Sequence, residues 1–253
     1  SGHRGPGSRL NFQIVIYNSN NLGYPYLITC VSGNKDMKIS ILGISGSPVK
    51  EGNVELLLRN MIDSVRSEDI TAEIINLSNT DIQECNHCNF CLKKQTNERY
   101  CSIRDDAQAL YHKAEGADII ILSSPVYFMR TSAKMAALID RFRVFVFGNI
   151  AGGKLKNKIG VSAAVAWARH GGLETTHLTH LYAFLTLEMV PVSAHDCISP
   201  MGASAVASPG GTGLLDRNIR HGVAHDPAGL HSAAAMMKRA VELATIIKKG
   251  SEA

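Results

Sequence analysis

Lys38-Ile39-Ser40-Ile41-Leu42-Gly43-Ile44-Ser45-Gly46-Ser47-Pro48-Val49-Lys50-Glu51-Gly52-Asn53-Val54 is the stretch on which the fold turns. Its first part, Lys38–Ile44, is a short apolar run stopped by Ser45-Gly46-Ser47-Pro48, as in a buried strand that ends in a loop. Beyond Asn53, the residues Val54, Leu57, Leu58, Met61, Ile62 and Val65 recur at helical spacing and mark one face of an amphipathic helix. The loop between them carries Ser45, Ser47 and Asn53 as neutral donors and glycines that let backbone approach a ligand. A helix N-terminus beyond a strand offers unpaired N–H groups and a favourable dipole to a phosphate. It is neither a Walker A loop nor a Gly-x-Gly-x-x-Gly fingerprint. An ordinary β–α turn with polar caps fits the spacing equally well.

The same rhythm continues outward. Thr71–Leu77 reads as strand two and 105–115 as a helix. Ala117–Ser123 is a third buried strand, followed by a helical stripe of Met135, Leu138, Ile139, Phe142 and Val146. Lys158–Ala166 and Met189–Ser193 supply strands four and five around a helix at 173–187, and a last helix spans 228–248. Five β–α units in alternation imply a parallel sheet covered on both faces. The stretch 195–227 is too long for a simple connection and reads as a lid, a loop or a partner arm.

Residues 1–36 do not share this pattern. Ser1–Ser8 looks like an expression remnant, and Met37 reads as a native start directly before the first strand. The tail is therefore set apart from a domain spanning 37–253, although its apolar runs at 12–17 and 26–31 leave room for an extra strand or arm. With 253 residues, 45% hydrophobic, and no apolar run long enough for a bilayer, the expected address is the cytoplasm. The net charge of +4 is dispersed, which leaves no nucleic-acid footprint.

Six cysteines stand at 30, 85, 88, 91, 101 and 197, four of them within 85–101. A disulfide framework would spread them over a small secreted chain, whereas clustering in an α/β protein points to metal or redox chemistry. Cys85, Cys88 and Cys91 put three thiols on one tight loop, the first part of a ferredoxin-type run. Cys101 is the fourth candidate ligand, with Cys197 or Cys30 as substitutes. Thiolates suit iron in a cluster or zinc, with His87 as a lesser candidate for the latter. Reactive or spectator thiols are the third reading. Lys93, Lys94 and Arg99 in the loop would offset an anionic cluster or face an acidic partner, unless they simply form a solvated loop.

The loop at Ser45, Gly46, Ser47, Pro48, Gly52 and Asn53 resembles that of the flavodoxin-like NAD(P)H-dependent FMN reductase family, where it binds the FMN phosphate. Val49 stands in place of the usual Arg, and Val54 in place of a Thr. Ser124-Pro125-Val126-Tyr127-Phe128 is similar to the family's loop beside the isoalloxazine ring, and Lys134–Arg141 also fits. Gly171-Gly172-Leu173-Glu174-Thr175-Thr176 looks like the family's segment after strand four, with Arg169 and His170 just ahead of it. With the cysteine run, the chain resembles the iron–sulfur flavoprotein branch of that family over about 38–194.

The resemblance implies a flavodoxin-like, doubly wound five-stranded parallel sheet of order 2-1-3-4-5. It implies FMN held by Ser45, Ser47, Pro48, Asn53, Val54, Pro125, Val126, Tyr127, Phe128, Arg169, Gly171 and Gly172, and a [4Fe–4S] cluster on Cys85, Cys88, Cys91 and Cys101. The expected function is electron transfer between cluster and flavin to a small acceptor, from a ferredoxin-like donor or NAD(P)H, in a homodimer or homotetramer. An FMN or quinone reductase without a cluster, a non-enzymatic electron carrier and a zinc-stapled binding protein are the alternatives. No side chain stands out as a catalytic acid or base, and the catalytic set is left unassigned.

Overall fold

The computed structural model describes residues 13–16, 27–30 and 38–251. The chain divides into two units, Ser1–Met37 and Lys38–Ala253. In the first, Gln13–Ile16 pairs antiparallel with Leu27–Cys30, within the two apolar runs of the tail. The origin of Ser1–Ser8 and the start at Met37 lie outside the described residues.

In the second unit, β1 (Ile39–Ser45) lies in mid-sheet, parallel to β2 (Ile70–Asn76) on one side and β3 (Ile119–Pro125) on the other. β4 (Ile159–Ala166) follows β3, and β5 (Val190–Pro191) follows β4. The order is thus 2-1-3-4-5, as expected. β3 and β4 are buried along their whole length, which is why they read as continuous apolar runs rather than alternating ones.

Successive side chains of a strand point to opposite faces, so each strand feeds two cores. Ile39, Ile41, Ile119, Ile121 and Val161 pack with α1 (Asn53–Asp63) and α7 (Pro227–Ser251). Leu42, Ile44, Ile120 and Leu122 face the other way, toward α3 (Ala107–Gly116) and α4 (Ala133–Arg141). Between β2 and α3 lies a short helix, α2 (Phe90–Lys93). The stripe expected to run through Val146 breaks at Phe142 into α4 and the short α5 (Arg143–Val146).

The stretch 195–227 departs from expectation. It is not a loop or arm throughout, because Ala203–Val206 forms a strand, β6, parallel to the C-terminal half of β4 (Ala163–Ala166). β5 pairs only with Ile159 and Gly160, so two short strands share one edge of β4. Gly202 makes the approach possible: a Cβ there would sit 2.5 Å from His177 Nδ1 and from the Ser162 carbonyl. A buried polar chain locks this corner to α6 (Leu173–Thr186). Ser162 Oγ lies 2.7 Å from His177 Nδ1 and 2.9 Å from His180 Nδ1. The far nitrogens reach Ser204 Oγ (2.8 Å) and Thr131 Oγ1 (3.1 Å). Among the described residues no helix is long and apolar enough to cross a membrane.

Candidate functional site

The carboxyl ends of β1, β3 and β4 open onto a cavity of about 240 Å³. Such an edge is where open α/β sheets bind ligands. Ser47, Asn53 and Val54 line it from the first loop, Pro125, Val126 and Tyr127 from the second, and Val165, Ala166 and Trp167 from the end of β4. The first loop is held from within. Ser45 is fully buried, and its Oγ accepts from the Ser47 N–H at 3.4 Å. Ser47 Oγ in turn accepts from the Val49 N–H at 3.1 Å. Ser132 Oγ donates to the Gly46 carbonyl at 2.7 Å, which ties this loop to the segment entering α4. α1 is preceded by Gly52 as its N-cap, with no side-chain cap, so its first-turn N–H groups have no intrahelical acceptor. These donors fit a phosphate.

The second loop turns tightly at Tyr127, whose N–H donates to the Arg130 carbonyl at 2.9 Å, with the reciprocal bond at 3.1 Å. Phe128 (φ 48°) and Met129 (φ 62°) take left-handed conformations there. Tyr127 consequently borders the cavity, while Phe128 points to solvent at 98% exposure. Gly171 and Gly172 do not line the cavity. Gly172 (φ 102°) instead supports the turn from behind, since a Cβ there would come 2.5 Å from Met129 Cα. Arg169 is also turned away: its Nη2 lies 3.1 Å from Asp226 Oδ1 and its N–H donates to the Gly211 carbonyl. Pro48 is exposed at the turn and Ser45 lies beneath it.

Arg220 and His221 also line the cavity. Nothing local in the sequence marked them, because they arrive from 195–227, far from the loops of β1, β3 and β4.

A second, smaller cavity gathers Cys85, Cys88, Cys91 and Cys101 with Arg141 and Arg143. Cys91 sits on α2, and the left-handed Asn89 (φ 59°) turns the chain into that helix. Cys88 Sγ lies 2.9 Å from Ser102 Oγ, and this bond with the Phe90 N–H holds its thiol below the ordinary value. Burial pushes the Cys91 thiol up, against the opposing pull of the Arg143 guanidinium. Arg143 Nη1 is 3.5 Å from Cys91 Sγ, and Nη2 donates to Asn89 Oδ1 at 2.7 Å. Arg99 donates to the Cys101 and Ser102 carbonyls at 3.0 and 2.6 Å, so it shapes the loop rather than facing a partner. Lys93 and Lys94 are exposed.

The described side chains include no group of three or more His, Cys, Asp or Glu closed to metal-coordination geometry. Four thiols on one cavity beside a guanidinium nevertheless match the donor chemistry of an anionic iron–sulfur cluster. Cys197 is elsewhere, donating to the Ala194 and Ser199 carbonyls, and His87 does not line the cavity. The side chain of Cys30 lies outside the described residues.

Known proteins share this chain's family and fold. The model of the family described as NADPH-dependent FMN reductase matches residues 39–203. An iron–sulfur flavoprotein of Methanocaldococcus jannaschii is 35% identical over 211 residues, 83% of this chain and 100% of the relative. One from Archaeoglobus fulgidus is 31% identical over 216 residues, 83% of this chain and 98% of the relative. Among solved structures, RosB bound to 8-demethyl-8-formylriboflavin-5'-phosphate shares the fold, with a TM-score of 0.62 at 14% identity, covering 83% of this chain and 81% of that one. With the sheet order and the loops described, the chain belongs to the NADPH-dependent FMN reductase family, in its iron–sulfur flavoprotein branch, and is an FMN-dependent oxidoreductase.

Proposed function

We propose that the chain binds FMN in the larger cavity and a [4Fe–4S] cluster on Cys85, Cys88, Cys91 and Cys101, and moves electrons between a donor and a small acceptor. When bound, FMN exchanges one or two electrons and the cluster one, and the chemistry is the cofactors' own. The observation that carries the reading is the convergence of all four cysteines on one cavity, in a chain whose sheet edge offers a flavin-type pocket.

The protein's part is positioning and field. The first turn of α1 and the Ser47 loop receive the phosphate, and Pro125, Val126 and Tyr127 border the ring. Arg143 beside Cys91 offsets thiolate charge. A ferredoxin-like protein or NAD(P)H is the donor in this reading. The Tyr127–Met129 turn, with Phe128 98% exposed, is the proposed contact of a homodimer or homotetramer. The 195–227 stretch is withdrawn from that role, because part of it, Ala203–Val206, is a strand of the chain's own sheet.

Anaerobic purification with visible and EPR spectra and iron and sulfide analysis tests the reading. A flavin spectrum with stoichiometric iron and sulfide is expected. A protein without iron whose flavin is bleached by NADPH would instead be a flavin reductase without a cluster.

A further inference from the structure

We propose that Arg220 supplies the countercharge for the phosphate of FMN, a role that rests on the larger cavity being the flavin site. A phosphate monoester carries close to two negative charges near neutral pH. The loop that would receive it is uncharged at its donors, Ser47, Gly52 and Asn53, and α1 contributes a partial positive charge only. Position 49 holds an apolar Val, 56% exposed at the cavity rim. Glu51 adds a carboxylate to the same lining. A cation at this rim would add a full positive charge to the partial charge of the helix and the neutral donors.

The cavity-lining cations are Lys50 and Arg220. Arg220 is delivered by a built turn. His221 Nε2–H donates to the Glu51 carbonyl at 2.9 Å, and the Val223 N–H donates to Asn53 Oδ1 at 3.0 Å. These two bonds bracket the start of α1 and fix the residue just ahead of them at the cavity. Gly222 permits the approach, since a Cβ there would fall 1.8 Å from the Ala207 carbonyl oxygen. The guanidinium of Arg220 makes no hydrogen bond or ion pair with a described residue, which leaves its fork of donors available. Such a planar fork matches two phosphate oxygens at once, whereas Lys50, exposed as Arg220 is, offers a strongly hydrated point charge. A cation distant in sequence thus joins the loop's own Lys50 at the cavity rim.

The test is a fluorescence titration of flavin-free full-length protein with FMN and with riboflavin, which lacks the phosphate. Arg220→Ala is expected to weaken FMN roughly tenfold to a hundredfold while riboflavin affinity stays within about twofold. Lys50→Ala is expected to move FMN by less than about threefold. Val49→Arg added to Arg220→Ala should restore the preference for FMN. Equal loss for both flavins, or no loss for either, overturns the role of Arg220. Val126→Trp, which fills the cavity, separates the two layers. If it leaves both affinities unchanged the flavin site lies elsewhere, whereas a strong effect beside a silent Arg220→Ala refutes only the countercharge.

Discussion

Arg141 and Asp105 form a bidentate ion pair withdrawn from water, with Nη1 2.6 Å from Oδ2 and Nη2 3.0 Å from Oδ1. Arg141 Nη1 also donates to the Gln83 carbonyl at 2.8 Å, and the Gln83 N–H donates to Asp105 Oδ2 at 3.0 Å. Gln83 precedes Cys85 and Asp105 follows Cys101. One guanidinium on α4 therefore clasps both ends of the cysteine loop.

Removing one partner strands a buried charge. Arg141→Leu is expected to cost about 3–5 kcal/mol by urea denaturation. Arg141→Leu with Asp105→Leu should cost less than the sum of the single changes, and an additive result would show that the pair is not coupled. Burial raises the Asp105 pKa, but the bonds from Arg141, Gln83 and Ala107 outweigh it and hold the carboxyl below its ordinary value. Its stabilisation is thus complete above the unfolded carboxyl range and is lost as pH falls through the lower native value.

Single replacement of Cys85, Cys88, Cys91 or Cys101 by Ser should abolish stoichiometric iron and sulfide, because all four line the small cavity. Cys197→Ser should retain both, since that thiol is bonded to the Ala194 and Ser199 carbonyls. Iron bound normally by the Cys101 variant would place the fourth ligand elsewhere.

The buried histidines predict an acid-sensitive corner. Burial lowers the pKa of His177 from 6.5 to about 4. It lowers that of His180 to about 3, with a further push from His177. Below pH 6.5 the unfolded chain binds protons that the native state refuses, so unfolding free energy falls as pH drops toward about 3. His177→Leu should make that decline shallower in denaturant melts across this range. It also costs about 1–3 kcal/mol at neutral pH, by leaving Ser204 and Ser162 short of a partner.

Gly172→Ala places a side chain at φ 102° and against the Met129 backbone. A loss of about 1–3 kcal/mol is expected, with weaker flavin retention on dialysis as the Tyr127 turn shifts. Unchanged flavin retention would separate this glycine from the site.

Much of this was legible because it is local. The run Lys38–Ile44, its stop at Ser45-Gly46-Ser47-Pro48, and the stripe of Val54, Leu57, Leu58 and Met61 are periodicities and conformational preferences that a short window of residues already expresses. The triple cysteine spacing is local too. The break at Phe142 and the strand Ala203–Val206 were not legible. A four-residue run of small side chains has no periodic contrast, and it becomes a strand only because β4 offers unpaired backbone and Gly202 admits the His177 ring.

The sequence by itself determined the alternation of strands and helices, the polar, glycine-containing loop after β1, and the thiols at 85, 88 and 91, since each follows from the chemistry of neighbouring residues. Tertiary structure decided which distant groups meet. It brought Cys101 to the other thiols through the Arg141–Asp105 clasp, turned Arg169 and Phe128 away from the cavity, and set Arg220 at its rim. Those placements depend on hydrogen bonds and close approaches between segments far apart in the chain, which are set only when the sheet assembles.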